Sequence, residues 1–142
     1  LCLSELAKRL SKASAEEELN FNSPESIARY YMEDLRHEKQ EYMKLLLLNT
    51  KTKLIGETII SKGTVNAAII SPRELFIEAL QKGAVSIILL HNHPSGDPTP
   101  SKEDIIITKQ IQKAGELLGV NLLDHIIIGN NCYVSMRVKR LF

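Results

Sequence analysis

The chain of 142 residues is 44% hydrophobic and 25% charged, with a formal net charge of +1, a composition that suits one soluble domain with a core large enough to fold alone. The near-neutral balance argues against a dedicated nucleic-acid binder, which carries a basic face. No apolar run approaches the length needed to cross a bilayer, and no basic segment leads into an apolar stretch with a small-residue cleavage site. Cys2 and Cys132 lie at opposite ends with no C-x-x-C pair, so neither a disulfide framework nor a thiolate metal site is expected. A cytoplasmic protein without a membrane partner is the natural inference. Aromatic residues make up only 5% and Trp is absent, which leaves the core to Ile and Leu.

In chain order, residues 1–20 show helical spacing at Leu3, Leu6 and Leu10 and then turn polar and acidic. Residues 1–22 therefore read as the end of an upstream module with a linker, and residues 23–142 as the domain proper. Leu1 is not a natural start residue, so a longer parent protein is expected. Ser23 as N-cap with Pro24 at the first helical position signals a helix, whose apolar face is Ile27, Tyr30, Tyr31 and Leu35. From Glu41 to Ile70 the period changes, and three strands are predicted with breaks at Asn49–Lys53 and Ser61–Gly63. Ser71, Pro72 and Gly83 then frame a helix. "AVSIILLH" is short and uniformly apolar, as in a strand buried on both faces. A long helix follows from Ser101 to Gly119, then two strands, "NLLDHIIIG" and "CYVSMRV", joined at Asn130–Asn131. This order of elements predicts an α/β fold, a mixed sheet with flanking helices.

The chemistry concentrates in "LLHNHPSGDPTPSKED". His91 and His93 end a buried strand, and residues two apart on a strand point to one side. Both imidazoles are thus aimed at the carboxyl edge of the sheet, where open α/β folds place their sites. The loop Pro94–Pro100 contains three prolines and one glycine, which makes it stiff and sharply turned. Ser101 opens the next helix and Asp104 lies one turn inside it. His91, His93 and Asp104 form an N/N/O set suited to Zn2+, with one position left for water. A metal so held lowers the pKa of that water to roughly 7. Ser101 and Asp104 taken alone read better as a capping box, with Asp where Glu or Gln is usual, since caps far outnumber ligands, and a histidine at a strand end is more often structural than a ligand. Capping leaves both histidines unexplained, however, whereas a metal site accounts for all four residues. The letters "HNH" do not make a nuclease motif, because that motif spreads its residues over a hairpin and a helix.

The pattern His91-x-His93-Pro94, six residues, Ser101, two residues, Asp104 resembles the JAMM motif of JAB/MPN-type metalloproteases. "SPRELFIEALQKGAVSIILLHNHPSGDPTPSKEDI" followed by "LLDHIIIG" is similar to the bacterial RadC-like branch, over about residues 22 to 142. The resemblance implies a cytidine-deaminase-like α/β fold and zinc-dependent peptidase or isopeptidase chemistry on a peptide or protein substrate. It also brings a historical association with DNA repair and an upstream helix-hairpin-helix module, the only part through which a nucleic-acid partner is expected. Asn92 stands where eukaryotic relatives have Ser or Thr. That departure is usual in the RadC-like branch and is expected to bear on substrate more than on metal.

The resemblance also requires a glutamate from an upstream strand as general base. Glu41, at the head of "EYMKLLLLN", matches that position, and Glu57 in "IGETII" is the competitor. Glu74 and Glu78 on the helix after Pro72 are poorer candidates. Glu41 is then expected to take a proton from the water and return it to the leaving amine. The Ser101 hydroxyl is expected to donate to the developing oxyanion, a role worth about 3 kcal/mol where comparable donors are removed. Asp124 and His125 are further candidates. His125 could support a ligand from behind or serve as a fourth ligand, although a structural role is the simpler expectation with the zinc set already complete. His37, in a polar stretch, is expected at the surface. Two other functions compete with a peptidase: a DNA-repair accessory without peptidase turnover, and a scaffold that keeps the fold without catalysis. The intact motif speaks against the scaffold.

Overall fold

The structure, a computed structural model, describes residues 2–17, 19–64 and 69–142. The elements run α1 (Leu3–Glu17), α2 (Pro24–Leu35), β1 (Tyr42–Leu48), β2 (Leu54–Lys62), α3 (Pro72–Gln81), β3 (Ser86–Asn92), α4 (Lys102–Leu118), β4 (Asn121–Ile128) and β5 (Tyr133–Ser135). Each of α2, α3 and α4 begins where a side chain captures a free amide. Ser23 accepts from the Ser26 N–H, Ser71 from that of Glu74 and Ser101 from that of Asp104, with Pro at the first position of α2 and α3. Gly119, at φ 73°, closes α4 in the left-handed conformation that glycine adopts without strain. Among the described residues no helix is long and apolar enough to cross a membrane.

The strands form one mixed sheet of five in the order β2-β1-β3-β4-β5. β1 is antiparallel to both β2 and β3, β4 runs parallel to β3 through the α4 crossover, and β5 returns antiparallel on the far edge. Alternation along the strands divides the core in two. Met43, Leu45, Leu47, Ile87 and Leu89 face α3 and α4, where Leu75, Phe76, Ile107 and Ile111 cover them. Leu46, Leu48, Ile88, Leu90, Ile126 and Ile128 face α2 and meet Ile27, Tyr31 and Leu35. β3 is therefore buried on both faces, as its uniformly apolar sequence predicts. Burying each such Leu or Ile side chain is worth about 1.5–3 kcal/mol.

Three elements differ in extent from the sequence reading. α1 continues through the acidic stretch to Glu17, and Lys8 and Lys12 pair with Asp34 of α2, while Leu3, Leu6 and Leu10 stay exposed. The third strand expected before Ile70 falls largely on residues 65–68, which lie outside the described residues; Ile69 and Ile70 are not in a strand. β5 stops at Ser135 because local bonds turn the backbone out of the ladder. The Asp124 carboxylate accepts from the Ser135 hydroxyl (2.6 Å) and the Arg137 N–H (3.0 Å), and Ser135 Oγ accepts from the Val138 N–H (3.1 Å).

The proline-rich loop after β3 is tied to the β4–β5 turn. The Gly96 carbonyl accepts from the Asn130 N–H at 2.9 Å, and Cys132 Sγ approaches the same oxygen at 3.4 Å. Gly129 allows this approach, since a Cβ there would lie 2.3 Å from the Gly96 oxygen and 2.8 Å from Pro98 Cδ. Overpacking of this kind costs about 1–3 kcal/mol. Gly129→Ala is expected to reduce the unfolding free energy by that much, read as a lower urea midpoint at unchanged slope, and a midpoint equal to wild type would mean the loop is not clamped there.

Candidate metal centre

The site lies where β3 leaves the sheet. His91 is the sixth residue of β3, and the His93 N–H donates to the Ile128 carbonyl at 2.9 Å, continuing the β3–β4 ladder past the last strand residue. Both side chains project toward the α4 side, where Met43 is the register partner of His91 on β1. Their rings meet edge to face with centroids 4.6 Å apart. Asp104 approaches from α4, with Oδ1 3.6 Å from His91 Nε2 and Oδ2 3.3 Å from His93 Nε2. Glu41 approaches from the segment before β1, and one ligand atom from each of Glu41, His91 and His93 lies within 4.8 Å of the others. Glu41, His91 and His93 are thus close enough to hold a metal ion.

Each imidazole has an outer partner. His93 Nδ1 sits 2.8 Å from the Asp97 carbonyl, so it carries the proton and donates, leaving Nε2 to face Asp104. The Asp97 turn is held by its own carboxylate, which accepts from the Thr99 N–H (3.0 Å) and hydroxyl (2.7 Å). His91 Nδ1 lies 3.2 Å from His125 Nε2, and His125 Nδ1 lies 2.6 Å from Thr108 Oγ1. His91 Nε2 is fully buried and has no hydrogen-bond partner among the described residues. A buried polar atom left without a partner costs about 1–3 kcal/mol, and a cation between His91, His93 and Asp104 would remove that cost. Two imidazole nitrogens and a carboxylate are the donor chemistry that zinc takes, so the residues present fit the metal that the motif implies.

The electrostatics follow from burial and from Asp104. Burial pushes the His91 imidazole down to about 4 against the opposing pull of Asp104, and burial likewise pushes His125 down to about 3. The hydrogen bond with Asp104 raises His93 above its ordinary value, with burial working against it. Burial alone would raise the Asp104 carboxyl. The hydrogen bond with His93, the neighbouring His91 imidazole and the bonds from Ser101 outweigh it and hold the group well below the usual carboxylate range. Asp104 therefore stays ionised.

The structure brings Glu41, His91, His93, Ser101 and Asp104 together and leaves the other candidates elsewhere. Glu57 is the register partner of Leu46, on the α2 face of the sheet, where it accepts from the Tyr31 hydroxyl at 2.6 Å and lies 3.9 Å from Lys44 Nζ. It is on the opposite side from the histidines. Asp124 and His125 are adjacent on β4 and so point to opposite faces. His125 backs His91, whereas the Asp124 carboxylate holds the turn after β5. His37 is exposed. Asp104 also closes the capping box: Oδ2 accepts from the Ser101 N–H at 2.7 Å, and the Asp104 N–H donates to Ser101 Oγ at 3.1 Å. Cap and metal-facing carboxylate are thus one side chain. The sequence reading missed Thr108, although a hydroxyl four residues beyond Asp104 on the buried face of α4 was a legible signal.

The family model described as the RadC-like JAB domain matches residues 21–141. The chain is 51% identical over 138 residues to the UPF0758 protein of Carboxydothermus hydrogenoformans, an alignment covering 97% of this chain and 61% of that protein. It is 52% identical over 141 residues to the UPF0758 protein of Clostridium botulinum strain Langeland, covering 98% of this chain and 61% of that protein. A mixed sheet flanked by helices, with paired histidines at the end of a central strand, defines a domain of the JAB class. The chain belongs to the RadC-like JAB domain family. It spans about three-fifths of the length of these curated relatives, 61% in both cases.

Asn92, between the two histidines, faces away from both. It was expected to bear on substrate. Instead it is 1% exposed, with Oδ1 accepting from the Tyr42 N–H at 2.7 Å and Nδ2 donating to the Gln40 carbonyl at 3.0 Å. Its amide clamps the backbone on either side of Glu41. Asn92→Ala removes both bonds and leaves two main-chain groups unsatisfied, at about 1–3 kcal/mol each. It is expected to destabilise the fold by about 2 kcal/mol or more in urea unfolding and to speed hydrogen exchange at the Tyr42 amide. Unchanged exchange at Tyr42 would show that the clamp is not needed.

Proposed function

We propose that this chain is a zinc-dependent hydrolase that cleaves an amide bond in a peptide or isopeptide, with a protein or peptide as its substrate. One observation carries the reading: Glu41, His91, His93 and Asp104 converge on a buried imidazole nitrogen that has no protein partner among the described residues. In this reading His91, His93 and Asp104 hold the ion. A zinc ion there acts as a Lewis acid and lowers the pKa of a bound water to roughly 7.

The protein's own groups do the rest. The Glu41 carboxylate accepts a proton from the attacking water and later delivers it to the leaving amine. The Asp97 carbonyl keeps His93 Nδ1 protonated, so that Nε2 stays available. Ser101, exposed at the start of α4, uses its oxygen to accept from the Asp104 N–H and keeps its own proton to donate to the substrate oxyanion.

Glu41→Gln separates the proposed role of Glu41 from a ligand role. The substitution is expected to leave zinc content, measured by elemental analysis of protein never exposed to chelator, near one ion per chain. Turnover in a peptide-library cleavage screen is expected to fall by a factor of roughly 10² to 10⁴. If zinc is lost together with turnover, Glu41 is a ligand and not the base.

Asp104→Asn separates the metal role from the cap. An amide oxygen can still accept from the Ser101 N–H, so apo stability is expected to change by about 1 kcal/mol or less. Zinc affinity by calorimetric titration is expected to collapse. Full affinity in this variant would leave Asp104 as a cap alone.

A further inference from the structure

Behind His91 a chain of buried polar contacts runs through Thr108 and His125 and returns to Asp104. Thr108 Oγ1 bonds the main-chain carbonyl of Asp104 one turn earlier in α4 and lies 2.6 Å from His125 Nδ1. His125 Nε2 lies 3.2 Å from His91 Nδ1. Thr108 and His125 are completely buried. The proton positions along this chain are not free. A carbonyl oxygen cannot donate, so the contact between Thr108 and Asp104 uses the single hydroxyl proton of Thr108. Thr108 Oγ1 must then accept from His125, and the proton of His125 sits on Nδ1. Burial of both rings disfavours a charge, and a neutral imidazole has one N–H, so His125 Nε2 is a bare acceptor. His91 therefore donates from Nδ1, and its Nε2 carries a lone pair. That atom is the buried nitrogen that has no hydrogen-bond partner among the described residues, 3.6 Å from Asp104 Oδ1. The Met136 thioether, 3.6 Å from Thr108 Oγ1, is too weak an acceptor to reverse the order.

We infer that Thr108 is a positioning residue that fixes the tautomers of His125 and His91, so that His91 presents a bare Nε2 to the metal before any metal arrives. The opposite order would set Thr108 Oγ1 against the Asp104 carbonyl as two acceptors in contact, and would place a proton on His91 Nε2 in the path of the ion. Metal-bound histidines are commonly oriented by a carboxylate or a main-chain carbonyl. Here a main-chain carbonyl does so at two removes, and the carbonyl belongs to the residue whose side chain faces the same site. The residues form a closed circuit from the Asp104 main chain through Thr108, His125 and His91 to the Asp104 carboxylate. This inference rests on the metal-site reading for its purpose, although the proton order itself can be tested without metal.

The experiment is a nitrogen-15 correlation spectrum of the histidine rings in metal-free protein, paired with zinc titration of wild type, Thr108→Ser and Thr108→Val. Wild type and Thr108→Ser are expected to show His91 and His125 both protonated on Nδ1 and to bind zinc alike. Thr108→Val keeps the shape without the hydroxyl. It is expected to mix the His91 tautomers and to weaken zinc binding by about 10- to 100-fold, with the circular dichroism spectrum unchanged. A metal-free wild-type spectrum with the His91 proton on Nε2 overturns the inference, and this needs no variant to fold. Tautomers and zinc affinity both unchanged in Thr108→Val overturn it as well. If wild type shows the expected tautomers but binds no zinc, the hydrolase reading falls and the proton order stands.

Discussion

The Nε2 atoms of His91 and His93 lie 3.6 and 3.3 Å from the two carboxylate oxygens of Asp104 at the end of β3, and that of His91 is fully buried with no hydrogen-bond partner among the described residues. Groups that present lone pairs repel at this distance unless a cation or a proton lies between them. The hydrogen bond with Asp104 raises the affinity of His93 for a proton, against the effect of burial. Other features of the molecule can be understood as keeping these atoms from relaxing apart. Two hydrophobic layers fix the strand, a stiff loop fixes His93, and the first turn of α4 fixes Asp104.

The β1–β3 ladder is the least replaceable part of that frame. Met43 is paired with His91, which puts the residues of β1 that face α4 on the same side as the histidines and carries Glu41 toward them. Side chains alternate along a strand, so a slip of one residue would send Glu41 to the α2 face. Asn92 guards against this from the other face of β3. Its amide bonds the chain at Gln40 and Tyr42 and fixes where the backbone of Glu41 enters the sheet. On the opposite flank, Gly129 lets the turn after β4 press against Gly96 and hold the loop that carries the Asp97 carbonyl to His93.

The start of α4 resolves a conflict of charge. A helix N-terminus carries a partial positive charge, which disfavours a cation nearby. Asp104 sits in that first turn, satisfies the Ser101 amide with one oxygen and turns the same carboxylate to both histidines. The cap neutralises the helix end and supplies negative charge to the site in one group. Burial, which opposes ionisation of Asp104, is outweighed by these contacts. Thr108 and His125 extend the arrangement to the far side of His91.

What the sequence determined by itself is local. Two histidines separated by one residue share a strand face, and a Ser before a helix with Asp at the third position makes a cap. Ser23–Pro24 and Ser71–Pro72 open helices, and a short run of Ile and Leu is buried on both faces. Each of these follows from the period of a helix or strand or from one turn of backbone, and all are present in the structure. The choice between Glu41 and Glu57 was not legible in this way, because both lie at or in strands and only the pairing of β1 with β2 and β3 decides which face each occupies. Nor did spacing separate Asp124 from His125; one turns to the bend after β5 and the other to His91, according to which side of β4 faces α4. Thr108 and Asn92 gained their partners the same way, from segments 17 and about 50 residues distant. Tertiary structure decided these because the register and order of strands are set by burying both faces of one sheet at once, a condition on the whole chain that no short stretch of it contains.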